Sequence, residues 1–90
     1  MVLKKYEKLL ELLSENKNWP LKYMFKFIVE NEGGKVDQVV SILPKYGQLT
    51  FNHTENLKYV SVTCVAQMNS AEDIIEITSK AGEIKGVIAL

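Results

Sequence analysis

The feature that most limits what this sequence can become is the order strand, helix, strand, strand, helix, strand, which local signals place between Trp19 and Leu90. Trp19-Pro20 opens an extended run, because proline blocks helix continuation and pushes the residue before it toward β or polyproline geometry. Between Leu21 and Glu30, the residues Tyr23, Phe25, Phe27 and Val29 alternate with Lys22, Met24, Lys26, Ile28 and Glu30, giving a strand with one strongly apolar face and one mixed face. Gly33-Gly34 turns the chain into a short helix with the stripe Val36, Val39, Val40 and Leu43, closed by Pro44 and Gly47. A second strand follows from Gln48 to His53. The turn Thr54-Glu55-Asn56 leads into a third, from Lys58 to Met68, where Val60, Val62, Cys64, Ala66 and Met68 face one way and Tyr59, Ser61, Thr63, Val65 and Gln67 the other. That run of period two is the clearest strand signal in the chain. Ser70, followed three residues later by Asp73, caps a helix carrying Ile74, Ile75, Ile77, Thr78 and Ala81, with Gly82 as its C-cap. The last strand spans Ile84 to Leu90.

This order is a split βαβ repeat. It predicts an α+β, ferredoxin-like βαββαβ two-layer sandwich, in which a four-stranded antiparallel sheet carries two helices on one face. Ahead of it, Leu3, Tyr6, Leu9, Leu10 and Leu13 recur at helical spacing against a charged face of Lys4, Lys5, Glu7, Lys8 and Glu11. The chain therefore divides into residues 1–18, an amphipathic helix of about four turns with its linker, and residues 19–90, the sandwich. An isolated helix of that length is marginal in water, so its leucine stripe must dock, either back on the domain, the favoured placement, or on another chain.

Ninety residues suffice for one core and little more. Hydrophobic residues at 47% and charged residues at 24% exclude a chain disordered throughout. Eleven basic side chains balance eleven acidic ones, so there is no long-range field to attract nucleic acid or anionic lipid. The aromatic signature of RNA-recognition domains is also missing. The one cysteine cannot form an internal disulfide, and the start MVLKKYEKLLELL lacks a long apolar segment and a small-residue cleavage site, which points to the cytoplasm. Apolar runs fall far short of the roughly 20 residues a membrane span needs. No metal-ligand cluster, glycine-rich phosphate loop or nucleophile motif is present, so neither an enzyme nor a cofactor is expected. Cys64, between Val62 and Ala66, reads as a buried thiol. His53 stands without a second ligand. Glu30, Glu32 and Asp37 around the glycine turn read as a solvated loop with an acidic helix start.

Several short motifs carry a resemblance. Trp19-Pro20, Tyr23, Phe25-Lys26, Lys58-Tyr59-Val60-Ser61 and the ending Ile84-Lys85-Gly86-Val87-Ile88-Ala89-Leu90 resemble DUF493, the YbeD-like family of small bacterial proteins. The resemblance covers Trp19 to Leu90 and implies a ferredoxin-like, ACT-like fold in a bacterial cytoplasm. Some members of that family are described as lipoic acid-binding regulatory proteins. A covalent lipoyl carrier needs a lysine at the tip of a tight hairpin, and no lysine here is placed so distinctively. The chain also departs from the family where related sequences tend to have a serine-rich turn with glycine before the Lys-Tyr pair; here the turn is Thr54-Glu55-Asn56-Leu57.

The sheet face away from the two helices is the natural place for function. If the first and third strands are neighbours, parity puts Lys22, Lys26, Tyr59, Ser61 and Thr63 on that face. They offer two cations, two hydroxyls and a ring, suited to a small anionic metabolite or to the acidic surface of a partner protein. The leading expectation is a non-enzymatic regulatory or ligand-binding module of ACT-like type. The alternative is an interaction or structural protein acting through the same face and the N-terminal helix. A homodimer is expected in either case, because the strands Gln48 to His53 and Ile84 to Leu90 are edges with no proline to guard them.

Overall fold

The alternation of the third strand is realised as a ten-residue strand whose every second side chain is sealed from solvent. In the computed structural model, which describes residues 6–89, the elements are α1 (Glu7–Ser14), β1 (Leu21–Glu30), α2 (Lys35–Ile42), β2 (Gln48–His53), β3 (Tyr59–Met68), α3 (Ala71–Gly82) and β4 (Val87–Ala89). The sheet order is β2-β3-β1-β4, with all neighbours antiparallel. Each helix therefore carries the chain over one intervening strand, which is the ferredoxin-like arrangement expected from the element order.

The core lies between one sheet face and the helices. Phe25, Phe27 and Val29 of β1 and Val60, Val62, Cys64, Ala66 and Met68 of β3 meet Val39 of α2 and Ile74 and Ala81 of α3. The register sets Phe25 against Cys64, Phe27 against Val62 and Val29 against Val60, so the two apolar stripes coincide. The rings of Tyr23 and Phe25 meet edge to face at 4.9 Å. Ser70 caps α3 as its spacing implied, its hydroxyl accepting the Asp73 N–H at 3.2 Å. No described helix is long and apolar enough to cross a membrane.

The ends of several elements differ from the sequence reading. The third strand begins at Tyr59, because Lys58 belongs to the turn, where its N–H donates to Asn56 Oδ1. Leu43 is extended rather than helical, although its side chain stays buried. Gly82 does not act as a left-handed C-cap. It is the last helical residue, Glu83 caps in a right-handed conformation, and the positive φ falls at Gly86, at +87°. Space at 82 is tight: a Cβ there would stand 2.7 Å from the Tyr6 hydroxyl oxygen, at the end of that side chain. Because the chain makes a further turn, with Val87 N–H donating to the Ile84 carbonyl, β4 starts at Val87 instead of Ile84, and its described part is three residues, Leu90 lying outside the described residues.

The described part of the N-terminal helix is eight residues, about two turns, and Leu3 lies outside the described residues. Leu9, Leu10 and Leu13 are half-buried, and Leu13 packs against the core. With Tyr6 over Gly82, α1 rests beside α3 on the helical side. This agrees with the favoured placement, a helix folded back on its own domain, and among the described residues no helix covers the opposite sheet face, which is called the bare face below. The linker is tied down by Trp19 Nε1–H donating to the Asn16 carbonyl at 2.7 Å, and the Trp19-Pro20 peptide is cis.

Candidate functional site

The pairing of β1 with β3 decides which side chains share the bare face. Lys26 lies opposite Thr63, and Thr50 of β2 continues that row. The next row is Asn52, Ser61, Ile28 and Ile88, contributed by all four strands. Glu30 faces Tyr59 at one end, while Val65 faces Met24 and Gln67 faces Lys22 toward the other. All five expected residues are thus on one face, as parity requires.

They do not form one cluster. Lys26, Thr63 and Ser61 are neighbours at the centre, whereas Lys22 and Tyr59 lie in rows eight residues apart, about 27 Å at ~3.4 Å per residue. Sequence reasoning missed Thr50 and Asn52, which join only through the β2 register, and the apolar strip of Met24, Ile28 and Ile88. Met24 and Ile88 are 58% and 57% exposed, so the basic and hydroxyl groups border a water-facing hydrophobic stripe.

The charges on this face are unevenly engaged. Glu30 is held by Lys35, whose Nζ stands 3.3 Å from Glu30 Oε1 and 3.9 Å from Glu32 Oε1. Lys22 and Lys26 make no ion pair with a described residue and stay exposed. Ser61 Oγ is shielded from solvent and has no hydrogen-bond partner among the described residues. An unmet polar group of this kind has a cost that a donor or acceptor laid over it would remove.

The other polar candidates stand apart. Cys64 is wholly buried, and burial pushes its thiol pKa up, the opposite of what a reactive cysteine needs. His53 is exposed at the end of β2, opposite Val60 and so on the other face. The acidic loop is partly neutralised by Lys35, and the described residues hold no group of three or more His, Cys, Asp or Glu that could grip a metal. An apolar hollow of about 290 Å³ is lined by Tyr6 and Leu9 of the N-terminal segment, Thr78 of α3 and the β1 residues Tyr23, Phe25 and Lys26. Burial raises the Tyr23 phenol pKa there. A second hollow, of about 310 Å³, lies between Tyr59 and the loop of Glu30 to Glu32. On the bare face itself Lys22, Met24, Lys26, Thr50, Asn52 and Ile88 are exposed.

The turn before β3 is not a loose one. Thr54 Oγ1 accepts the Tyr59 N–H, and Asn31 donates through both its backbone N–H and its side-chain amide to the carbonyls of Lys58 and Leu57. Leu57 is held there at a φ of +60°, in the left-handed region.

No curated protein and no solved structure matches this chain. The sequence profile of one family, described as "Protein of unknown function (DUF493)", matches residues 14–90, from the last residue of α1 through the whole sandwich, and the chain belongs to DUF493.

Proposed function

We propose that this protein is a non-enzymatic regulatory module that receives the acidic surface of a partner protein on its bare sheet face. The observation that carries the reading is the row Lys26, Thr63, Thr50 beside the unpartnered Ser61 hydroxyl, on a face that no described helix covers. An exposed lysine pair contributes only about 0.2–1 kcal/mol per contact, so charge supplies orientation and on-rate. Affinity would come from the adjoining Met24, Ile28, Ile88 and Tyr59. The exposure of Met24, Lys26, Thr50 and Ile88 favours a macromolecular surface over a free metabolite, since small-molecule sites enclose most of their ligand. The non-enzymatic part of the reading is supported by Cys64 being sealed in the core and by His53 pointing off the other face, so that neither is brought to the lysines.

Amide chemical-shift mapping tests this with two probes, a short glutamate-rich peptide and citrate. The peptide should shift Lys22, Lys26, Ser61 and Thr63, and the Lys26→Glu, Tyr59→Ala double variant should keep its fold and lose the response. Shifts that map to other surfaces, or that survive in the variant, refute the proposal. A saturable response to citrate with none to the peptide would replace the partner by a small anionic metabolite.

A further inference from the structure

β2 is an edge of the sheet, bonded to β3 on one side and to no described residue on the other. Edges expose alternate N–H and C=O groups, and stable monomers blunt them with lysine, proline, a bulge or a covering element. β2 has none of these. Its six residues Gln48 to His53 carry no lysine or proline, they pair with β3 in unbroken register, and all six are exposed. The core also runs out beneath them. Leu49 and Phe51 lie on the helical face, opposite the fully buried Cys64 and Val62, yet remain 38% and 44% exposed.

We propose that β2 pairs antiparallel with β2 of a second copy about a two-fold axis through Thr50, joining the two sheets into one of eight strands. Because side chains alternate, a two-fold perpendicular to the sheet keeps like faces together only when it passes through a residue. Centred on Thr50, it sets Leu49 against Phe51 of the partner copy twice and Gln48 against Asn52 twice, with Thr50 meeting its own copy. Apolar meets apolar on the helical side, and amide meets amide on the bare side. The same axis brings Lys45 of one copy to the end where Glu55 of the other lies, at both ends of the junction; both residues are exposed. Shifting the axis to Phe51 would instead oppose Leu49 to His53 and lose the charge match.

The opposite edge offers no equivalent. The described part of β4 has three residues and follows Lys85 and Gly86, and the margin of β1 beyond it carries Lys22 and Lys26, which a two-fold about Met24 would set against each other. This junction goes beyond the binding role proposed above and does not depend on it. If both hold, the two bare faces lie on one side of the joined sheet and present a duplicated surface to a partner.

A junction this short buries less than a standard interface of roughly 1,600 Å², so the dimer should form and dissociate with concentration. Sedimentation equilibrium of the full chain from micromolar to millimolar concentration should show the average mass rise from monomer toward dimer. Thr50→Lys, which opposes two lysines across the axis, should weaken association roughly tenfold or more while leaving the melt unchanged. Lys45→Glu should weaken it, and Glu55→Lys added to Lys45→Glu should restore it. The Thr50→Cys chain should cross-link to itself under mild oxidation in proportion to the dimer fraction, with the buried Cys64 uninvolved. Monomer mass throughout, or a dimer indifferent to Thr50→Lys and to the charge swap, overturns the proposal.

Discussion

Gly47 is the tightest point between a loop and the core, and replacing it tests the packing around Cys64 directly. A Cβ at this position would stand 2.5 Å from Cys64 Sγ, and 3.2 Å from both the Ala66 Cβ and the Pro44 carbonyl oxygen. Its backbone is not among the positive-φ glycines, so alanine is conformationally acceptable there. Removing glycine from the unfolded chain would alone stabilise by about 0.4–1 kcal/mol. Against that, forcing a methyl into a filled site costs about 1–3 kcal/mol, so Gly47→Ala should be destabilising by roughly 1–2 kcal/mol net. For a domain of this size that lowers Tm by roughly 5–15 °C. Cys64→Ala alone deletes a fully buried sulfur and should cost about 1 kcal/mol, as loss of one buried methylene-sized group plus part of a cavity. Combined, the new methyl occupies the space the sulfur left. The double variant should therefore recover to within about 0.5 kcal/mol of the wild type, a coupling of roughly 1.5–3 kcal/mol. Urea and thermal unfolding of the four proteins, followed by circular dichroism, measure this cycle. Additive effects, or a Gly47→Ala protein as stable as the wild type, would show that residue 47 does not press on the core thiol.

Two further substitutions probe the strand register and the turn before β3. Val62 is wholly buried between β1 and the helices, so Val62→Asp, which adds an unpaired carboxylate, should cost several kcal/mol out of a total of roughly 5–15 kcal/mol and abolish the cooperative melt; a preserved midpoint would mean that the register is wrong. Leu57 sits at a φ of +60° with its side chain 60% exposed, so Leu57→Gly should relieve about 1–2 kcal/mol of backbone cost against about 0.5–1 kcal/mol of added chain entropy, raising Tm by a few degrees; a lower Tm by scanning calorimetry would show that the leucine side chain contributes packing there.

What the sequence showed and what it hid divide along physical lines. β1 has the bounds that its alternation implied, and β3 is off by one residue, because a period of two against a buried face leaves strand placement little freedom; β2 also runs from Gln48 to His53 as expected, although all six of its residues are exposed. Gly82 misled because glycine serves two purposes, left-handed backbone and close approach, and composition alone does not distinguish them. The Tyr6 hydroxyl that approaches Gly82 comes from an element far away in sequence. The bare face was legible from parity, but the spread of its residues was not. β1 and β3 are joined through a helix and another strand, so no tight turn fixes their register. Only the packed core determines that Lys26 meets Thr63 and that Tyr59 stands far from Lys22. The β2 contribution to the face was hidden for the same reason.

The attachment of β4 sets a local stability different from that of the rest of the sheet. Three described residues pair with β1, and one further bond, from the Glu30 N–H to the Gly86 carbonyl at 3.2 Å, anchors the chain beneath the ion pair of Glu30 with Lys35. Side chains bulkier than glycine at 86 would collide with that carboxylate, which makes the ion pair a clasp over the backbone. β3, by contrast, is paired with β1 along all ten of its residues and with β2 from Val60 to Val65. Peeling β4 away breaks few bonds and exposes Val87 and the margin of β1 while β2, β3 and β1 stay paired. The sheet thus opens in a graded order from this side inward, and its β4 amides are placed to exchange with solvent through local opening, long before the global unfolding that releases those of β3.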